Sequence, residues 1–182
     1  MKIPEADFLK AHNGSWTARR AGEFSVRNIH MAEMPAPAAR IFPELGGPGL
    51  LTPGWKWKLL LGLRLAIGKV FGWDEGLKTH PGEPLEPGKH YGFFLIEHAD
   101  PPREVGMSVE NRLTRAMMCW VLDPAPDGTR VFNVTLANFK GCRGDFYWRV
   151  IERFHDGITE AALAELRRRS RGALRTLPNW LG

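Results

Sequence analysis

The chain has 182 residues, of which 43% are hydrophobic and 25% are charged, a composition typical of one soluble globular domain rather than a disordered chain. Its net charge of +5 comes with an arginine cluster near the C-terminus. That cluster lacks the interleaved aromatic residues of a strand-binding surface, so we expect no nucleic-acid partner. Two cysteines do not make a disulfide framework, and the first ten residues lack an apolar signal-peptide core, so we expect a cytoplasmic protein.

The first twenty residues carry few periodic signals, and Asn13-Gly14 interrupts the one short helical pattern among them. We therefore predict that residues 1–20 form a loosely ordered arm, with Phe8, Leu9 and Trp16 as its anchors. Residues 21–182 are then expected to form a single domain.

A first strand is predicted over residues 23–34. Phe24 and Val26 alternate with polar neighbours, but the apolar positions then move to Ile29 and Met31, which predicts a β-bulge. The prolines that follow end the strand and favour a short helix over residues 36–45.

A second helix is predicted over residues 55–71. Four basic residues interrupt its apolar pattern, and about 20 predominantly apolar residues are needed to span a bilayer, so we expect no transmembrane segment. We expect this helix to cover the mouth of a sheet or to form a homodimer contact. Binding to a membrane surface remains an alternative, because Trp, Leu and Lys together suit an interface.

Four further strands are predicted in close succession, over residues 91–98, 104–111, 113–122 and 130–139. Pro101-Pro102 separates the first two, and Asp127-Gly128 predicts a hairpin between the last two. Short turns of this kind favour antiparallel pairing.

A long helix is predicted over residues 143–172, with Asp145 as its N-terminal cap and Gly172 at its end. Apolar residues recur along it at three- and four-residue steps, which places them on one face. They are Tyr147, Ile151, Phe154, Ile158 and Ala162. The sequence thus predicts an α+β fold in which a curved antiparallel sheet surrounds a long C-terminal helix.

Three stretches carry a resemblance to a known family: residues 88–96, residues 109–113, and Tyr147-Trp148 together with Phe154-His155. The chain resembles the helix-grip fold of the START/Bet v 1-like (SRPBCC) superfamily and, within it, the DUF2867 family, whose function is uncharacterised. It departs from the family pattern at Arg153, where proline commonly precedes the Phe-His pair. The resemblance implies an apolar ligand between sheet and helix; a minority of the superfamily catalyse cyclisation or hydrolysis.

The candidate ligand-binding residues come from the strands and the last helix. They are Met107, Val109, Met118, Trp120, Val134, Tyr147, Ile151, Phe154 and His155. We expect the strand residues, together with Leu136, to face the helix. His155 is interpreted either as a hydrogen-bonding group or general base in a pocket, or as a core-edge histidine satisfied by another protein group.

No metal site or cofactor is predicted. His90 and His98 would lie about 26 Å apart on one extended strand, and no CxxC, HxH or HExxH pattern occurs. We expect Glu97 and Glu110 to be exposed and Cys119 to be a small core residue.

Three functions remain open. The first is a non-enzymatic binder of an apolar or amphipathic small molecule. The second is a cyclase- or hydrolase-like enzyme that uses His155 and a nearby carboxylate. The third is an interaction module that uses residues 55–71 and the tail around Trp180.

Overall fold

The computed structural model describes residues 1–47, 50, 58–59, 62, 84–111 and 114–175. Its helices are α1 (Glu5–Ala11), α2 (Trp16–Ala21), α3 (Ala38–Ile41), which continues into a 3₁₀ helix (Phe42–Gly46), and α4 (Gly141–Arg175). Its strands are β1 (Val26–Met34), β2 (His90–Tyr91), β3 (Phe94–Asp100), β4 (Glu104–Glu110), β5 (Thr114–Ala125) and β6 (Gly128–Phe139). Most of the predicted helix at residues 55–71, and the tail around Trp180, lie outside the described residues.

The described strands form one antiparallel sheet in the order β1-β6-β5-β4-β3-β2. The predicted hairpin between β5 and β6 is confirmed, and Gly128 adopts a φ of 145°, which a residue with a side chain rarely adopts. The α+β class and the curved antiparallel sheet with a C-terminal helix are also confirmed.

Both faces of the sheet are covered. The face beneath α1 and α2 buries Phe8, Phe24, Ile29, Met117, Cys119, Val121, Phe132, Val134 and Leu136. The face beneath α3 and α4 buries Ile96, Val105, Met107, Trp120, Leu122, Val131, Ala162, Leu163 and Leu166, among others. Side chains alternate between the two faces of the sheet along a strand. Because both faces are covered at β5, the residues at its centre are all apolar.

The segment expected to be a loosely ordered arm, residues 1–20, contains α1 and most of α2, and it packs on the sheet. The predicted anchor Phe8 is 1% exposed. Ser15 caps α2 by accepting a hydrogen bond from the amide of Ala18 at 3.0 Å. The buried Glu104 carboxylate accepts two more, from the amides of Trp16 (3.0 Å) and Thr17 (2.6 Å). These bonds satisfy the free amides of α2 and fix the helix to β4.

The predicted bulge in the first strand is wrong. β1 pairs with β6 without a break in register from Val26 to Met34. Asn28 and His30 are buried, at 2% and 1% exposed, so polar residues at these positions do not mark a shift of the apolar face. The irregularity lies instead in β3, between Ile96 and His98.

Two other element boundaries differ from the predictions. The strand expected over residues 91–98 is divided into β2 and β3 by a tight turn at Gly92, which has a φ of 66°. The last helix begins at Gly141 rather than at a cap formed by Asp145, and it continues past Gly172 to Arg175.

Candidate functional site: a buried polar cluster beneath the last helix

Two rows of paired residues cross the sheet on the face that α4 covers. In one row Val105 pairs with Trp120, Trp120 with Asn133, and Asn133 with His30. In the other, Met107 pairs with Met118, Met118 with Thr135, and Thr135 with Asn28. Both rows are therefore apolar on β4 and β5 and polar on β6 and β1.

Asp156 of α4 joins the polar ends of both rows. Its Oδ1 atom accepts hydrogen bonds from Asn28 Nδ2 at 2.6 Å and from His30 Nε2 at 3.1 Å. Its Oδ2 atom lies 3.3 Å from the ammonium group of Lys2, which also binds Glu152 at 3.2 Å. We call Asn28, His30, Asn133, Thr135, His155 and Asp156 the polar cluster.

The carboxylate at the centre of the polar cluster is held ionised. Partial burial alone would raise the pKa of Asp156, but hydrogen bonds from Asn28 and His30 and the charge of Lys2 outweigh it, and the pKa is lowered. An ionised carboxylate only accepts, so His30 Nε2 must carry the proton that it donates.

His155 is half-buried and approaches the sheet. Its Nε2 atom lies 3.1 Å from the hydroxyl of Thr135, and its ring is 5.5 Å from that of Trp148. Burial lowers the pKa of His155 to about 4, against a smaller raising effect of Asp156. The ring is therefore neutral at neutral pH.

Several buried polar atoms at this site have no hydrogen-bond partner within the described part of the chain. They are Asn28 Oδ1, His30 Nδ1, Trp120 Nε1 and His155 Nδ1. Glu160 lies 3.9 Å from His30 Nδ1, which is too far for a hydrogen bond. Each buried unsatisfied group costs about 1–3 kcal/mol, so such a concentration beneath one helix points to a site that accepts hydrogen-bonding groups.

The structure brings together some of the predicted site residues. Met107 and Trp120 are buried on the α4 side, at 0% and 1% exposed, and Met118 packs against the same cluster. Val109 is half-buried near the end of β4. His155 joins them from α4.

Other predicted site residues lie elsewhere. Val134, like Leu136, belongs to the face beneath α1 and α2, so the prediction that it faces α4 is wrong. Phe154 is 53% exposed and does not pack on the sheet. The buried face of α4 shares Ala162 with the predicted stripe, but it also carries His155, Thr159, Leu163 and Leu166. The side chains of Tyr147 and Ile151 lie outside what the structure describes.

Sequence reasoning missed the β1 and β6 members of the polar cluster and Asp156. One signal was present in the sequence. Asn28 and His30 alternate with Ile29 and Met31, and polar residues alternate with apolar ones in β6 as well. A strand that is buried on both faces is normally apolar throughout, so these polar residues were the signal.

The predicted roles of several single residues are confirmed. Glu97 and Glu110 are exposed, and Glu110 pairs with Lys140 at 3.0 Å. Cys119 is fully buried, and burial raises the pKa of its thiol to about 12, which keeps it unreactive.

Within the described residues, no three His, Cys, Asp or Glu side chains are placed to hold a metal. In the same part of the chain, no helix is long and apolar enough to cross a bilayer.

The fold and the site define a class: a six-stranded antiparallel α+β domain in which a long C-terminal helix covers a polar cluster within an apolar core. Residues 19–162 match the family described as "protein of unknown function (DUF2867)". The match spans most of the chain, so the protein belongs to this family, as its resemblance predicted.

Solved structures share the fold at low identity. The Ms6760 protein of Mycobacterium smegmatis is 14% identical with a TM-score of 0.50, and the alignment covers 79% of this chain and 90% of that protein. A Rhodobacter sphaeroides protein is also 14% identical with a TM-score of 0.50, covering 81% and 93%. No curated protein matches the chain. These likenesses concern the fold alone.

Proposed function

We propose that the protein is a helix-grip domain of the START/Bet v 1-like kind that binds an amphipathic small molecule between the sheet and α4. The observation that carries the proposal is the polar cluster, with its unpartnered buried atoms, set beside an apolar surface. Ligand sites commonly combine apolar walls with a few placed polar groups.

Each half of the site has a part in this proposal. Met107, Met118 and Trp120 supply apolar surface, and burial of apolar ligand area contributes roughly 25 cal/mol per Å². The polar cluster orients the ligand, because its groups are held by the bonds of Asp156 to β1 and of His155 to Thr135. Val109 extends the apolar half toward the end of β4.

Fluorescence titration with N-phenyl-1-naphthylamine, a neutral apolar probe, tests this proposal. We expect saturable binding at one site per chain. Met118→Trp adds bulk on the α4 side and should weaken the affinity for the probe about tenfold, which equals 1.4 kcal/mol.

Met31→Trp is the matched control, because Met31 is also a partly buried methionine but packs on the face beneath α1 and α2. Its affinity for the probe should stay within about twofold of the unmodified chain. Absence of saturable binding would reject the proposal. Equal weakening by both substitutions would place the probe elsewhere.

A second candidate is a cyclase- or hydrolase-like enzyme, favoured by the contact between His30 and Asp156 next to a neutral His155. A histidine held by a carboxylate is a common general base. Mass spectrometry of molecules that co-purify, before and after incubation with the protein, separates the two candidates. A binder leaves their masses unchanged, whereas an enzyme converts them.

A further inference from the structure

We infer that the polar cluster selects ligands whose polar end is an uncharged group that both donates and accepts hydrogen bonds, such as a hydroxyl or a carboxamide. This inference rests on the proposed function and names the ligand class of the same site. It depends on which polar atoms of the site are free and on the charges that surround them.

The free atoms include both donors and acceptors. The indole nitrogen of Trp120 can only donate. The side-chain nitrogen of Asn28 donates a hydrogen bond to Asp156, and the side-chain oxygen remains free as an acceptor. His30 Nδ1 accepts when the ring is neutral, because its other nitrogen donates to Asp156.

A group with both capacities can pair with either kind of free atom. A carboxylate accepts a hydrogen bond from the Trp120 N–H but has no proton to donate to Asn28 Oδ1. An ammonium group donates to Asn28 but leaves the Trp120 N–H unpaired. A hydroxyl or carboxamide serves both, and buried polar groups are strongly selected to be paired.

The surrounding charges also disfavour an anion. The described charges that act on the site include those of Asp156, Glu152 and Lys2. Lys2 is already bound by both carboxylates, and Glu160 stands near His30 from the next turn of α4. A ligand carboxylate or phosphate would therefore be buried beside these carboxylates, and Lys2, the cation that the described residues place there, is already paired.

The free atoms are buried, which favours a ligand site rather than a surface that bulk water solvates. Asn28, His30 and Trp120 are 2%, 1% and 1% exposed. Their backbone positions are fixed by continuous pairing of β1, β6 and β5. The donor and the acceptors are thus held in place before a ligand arrives, which limits the entropy lost on binding.

Four ligands with the same chain test the inference: 1-dodecanol, dodecanamide, dodecanoate and dodecylammonium, each used to displace N-phenyl-1-naphthylamine at about pH 7.5. We expect the alcohol and the amide to bind at least about tenfold more tightly than either ion. Asn28→Leu and His30→Leu should each reduce this preference to about threefold or less. His90→Leu, in β2 at the opposite edge of the sheet, should leave it unchanged.

The ligand comparison on the unmodified chain does not require any variant to fold. If the probe binds but all four ligands displace it equally, or dodecanoate or dodecylammonium displaces it best, the inference is overturned while the proposed function stands. If the probe does not bind saturably, the proposed function itself fails. A preference for the alcohol and amide that survives both leucine substitutions would also overturn the role of the polar cluster.

Discussion

Gly106 is the residue at which β4 makes room for the N-terminal helices. A Cβ atom at this position would overlap the indole ring of Trp16, which stacks on His98 with 5.0 Å between ring centroids. We therefore predict that Gly106→Ala lowers the free energy of unfolding by about 1–3 kcal/mol, the usual range for overpacking. Urea unfolding measures the change.

Gly22 provides the matched control, because a Cβ there meets no atom within 4 Å. Gly22→Ala should change the free energy of unfolding by less than about 0.5 kcal/mol. In the background of Trp16→Leu, the Gly106→Ala substitution should cost less than it does alone, since the obstructing ring is gone. Equal costs in both backgrounds would contradict the contact.

At the same scale, Asn28 and His30 show why the site was only partly predictable. Single polar residues on a strand usually indicate a solvent-facing side, so their alternation with Ile29 and Met31 suggested a bulge. Their burial depends on Asp156, which lies 128 and 126 positions away in sequence. No local pattern carries that information.

At the scale of elements, α4 contains two overlapping candidate faces. The more apolar face includes Phe154, yet the helix buries the neighbouring face with Leu163 and Leu166. The sequence predicted a long one-sided helix correctly, because periodicity reports length and amphipathicity well. It placed the buried face correctly at Ala162, which is 5% exposed, but not at Phe154, because the sheet beneath the first half of α4 is polar and binds His155 and Asp156.

This assignment of the buried face predicts unequal effects of two truncations in the same helix. Leu166→Ala should lower the free energy of unfolding by about 2–5 kcal/mol, because Leu166 is 0% exposed. Phe154→Ser should change it by no more than about 0.5 kcal/mol. Thermal or urea unfolding compares them, and a larger loss for Phe154→Ser would mean that the helix is rotated.

The N-terminal helices were the least predictable elements. Both are short, at 7 and 6 residues, and isolated helices below about 12 residues are marginal in water. Their stability comes from tertiary contacts, including the bond of Glu104 to the start of α2 and that of His12 to Asp123 at 2.7 Å. Phe8 and Trp16 were recognisable as anchors, but their partners on the sheet were not.

At the scale of the whole molecule, the sheet separates two histidines with opposite titration behaviour. His155 lies beneath α4, and burial lowers its pKa to about 4. His12 packs between α1 and the face of the sheet that α1 and α2 cover. Burial alone would lower the pKa of His12, but its bonds to Asp123 and to the Phe8 carbonyl outweigh that effect, and the pKa is raised above 6.5.

These shifts affect stability in opposite directions as pH changes. Between about pH 4 and 6.5, His155 is protonated in the unfolded chain but not in the folded one, so stability falls as pH falls. Above pH 6.5, His12 remains protonated only in the folded state, so its contribution is lost as pH rises through its folded pKa. The lowered pKa of Asp156 adds a further loss only at pH values below 3.8.

We therefore predict that the free energy of unfolding is highest near about pH 6.5 and declines on both sides, for reasons located on opposite faces of the sheet. His155→Gln should flatten the acid side and leave the alkaline side unchanged, whereas His12→Gln should do the reverse. Urea unfolding at intervals between about pH 4.5 and 8.5 measures both slopes. An acid slope that persists in His155→Gln would show that other groups cause it and that folding does not lower the pKa of this ring. A neutral His155 offers no positive charge to an anionic ligand, so this measurement also tests the electrostatic basis of the proposed site.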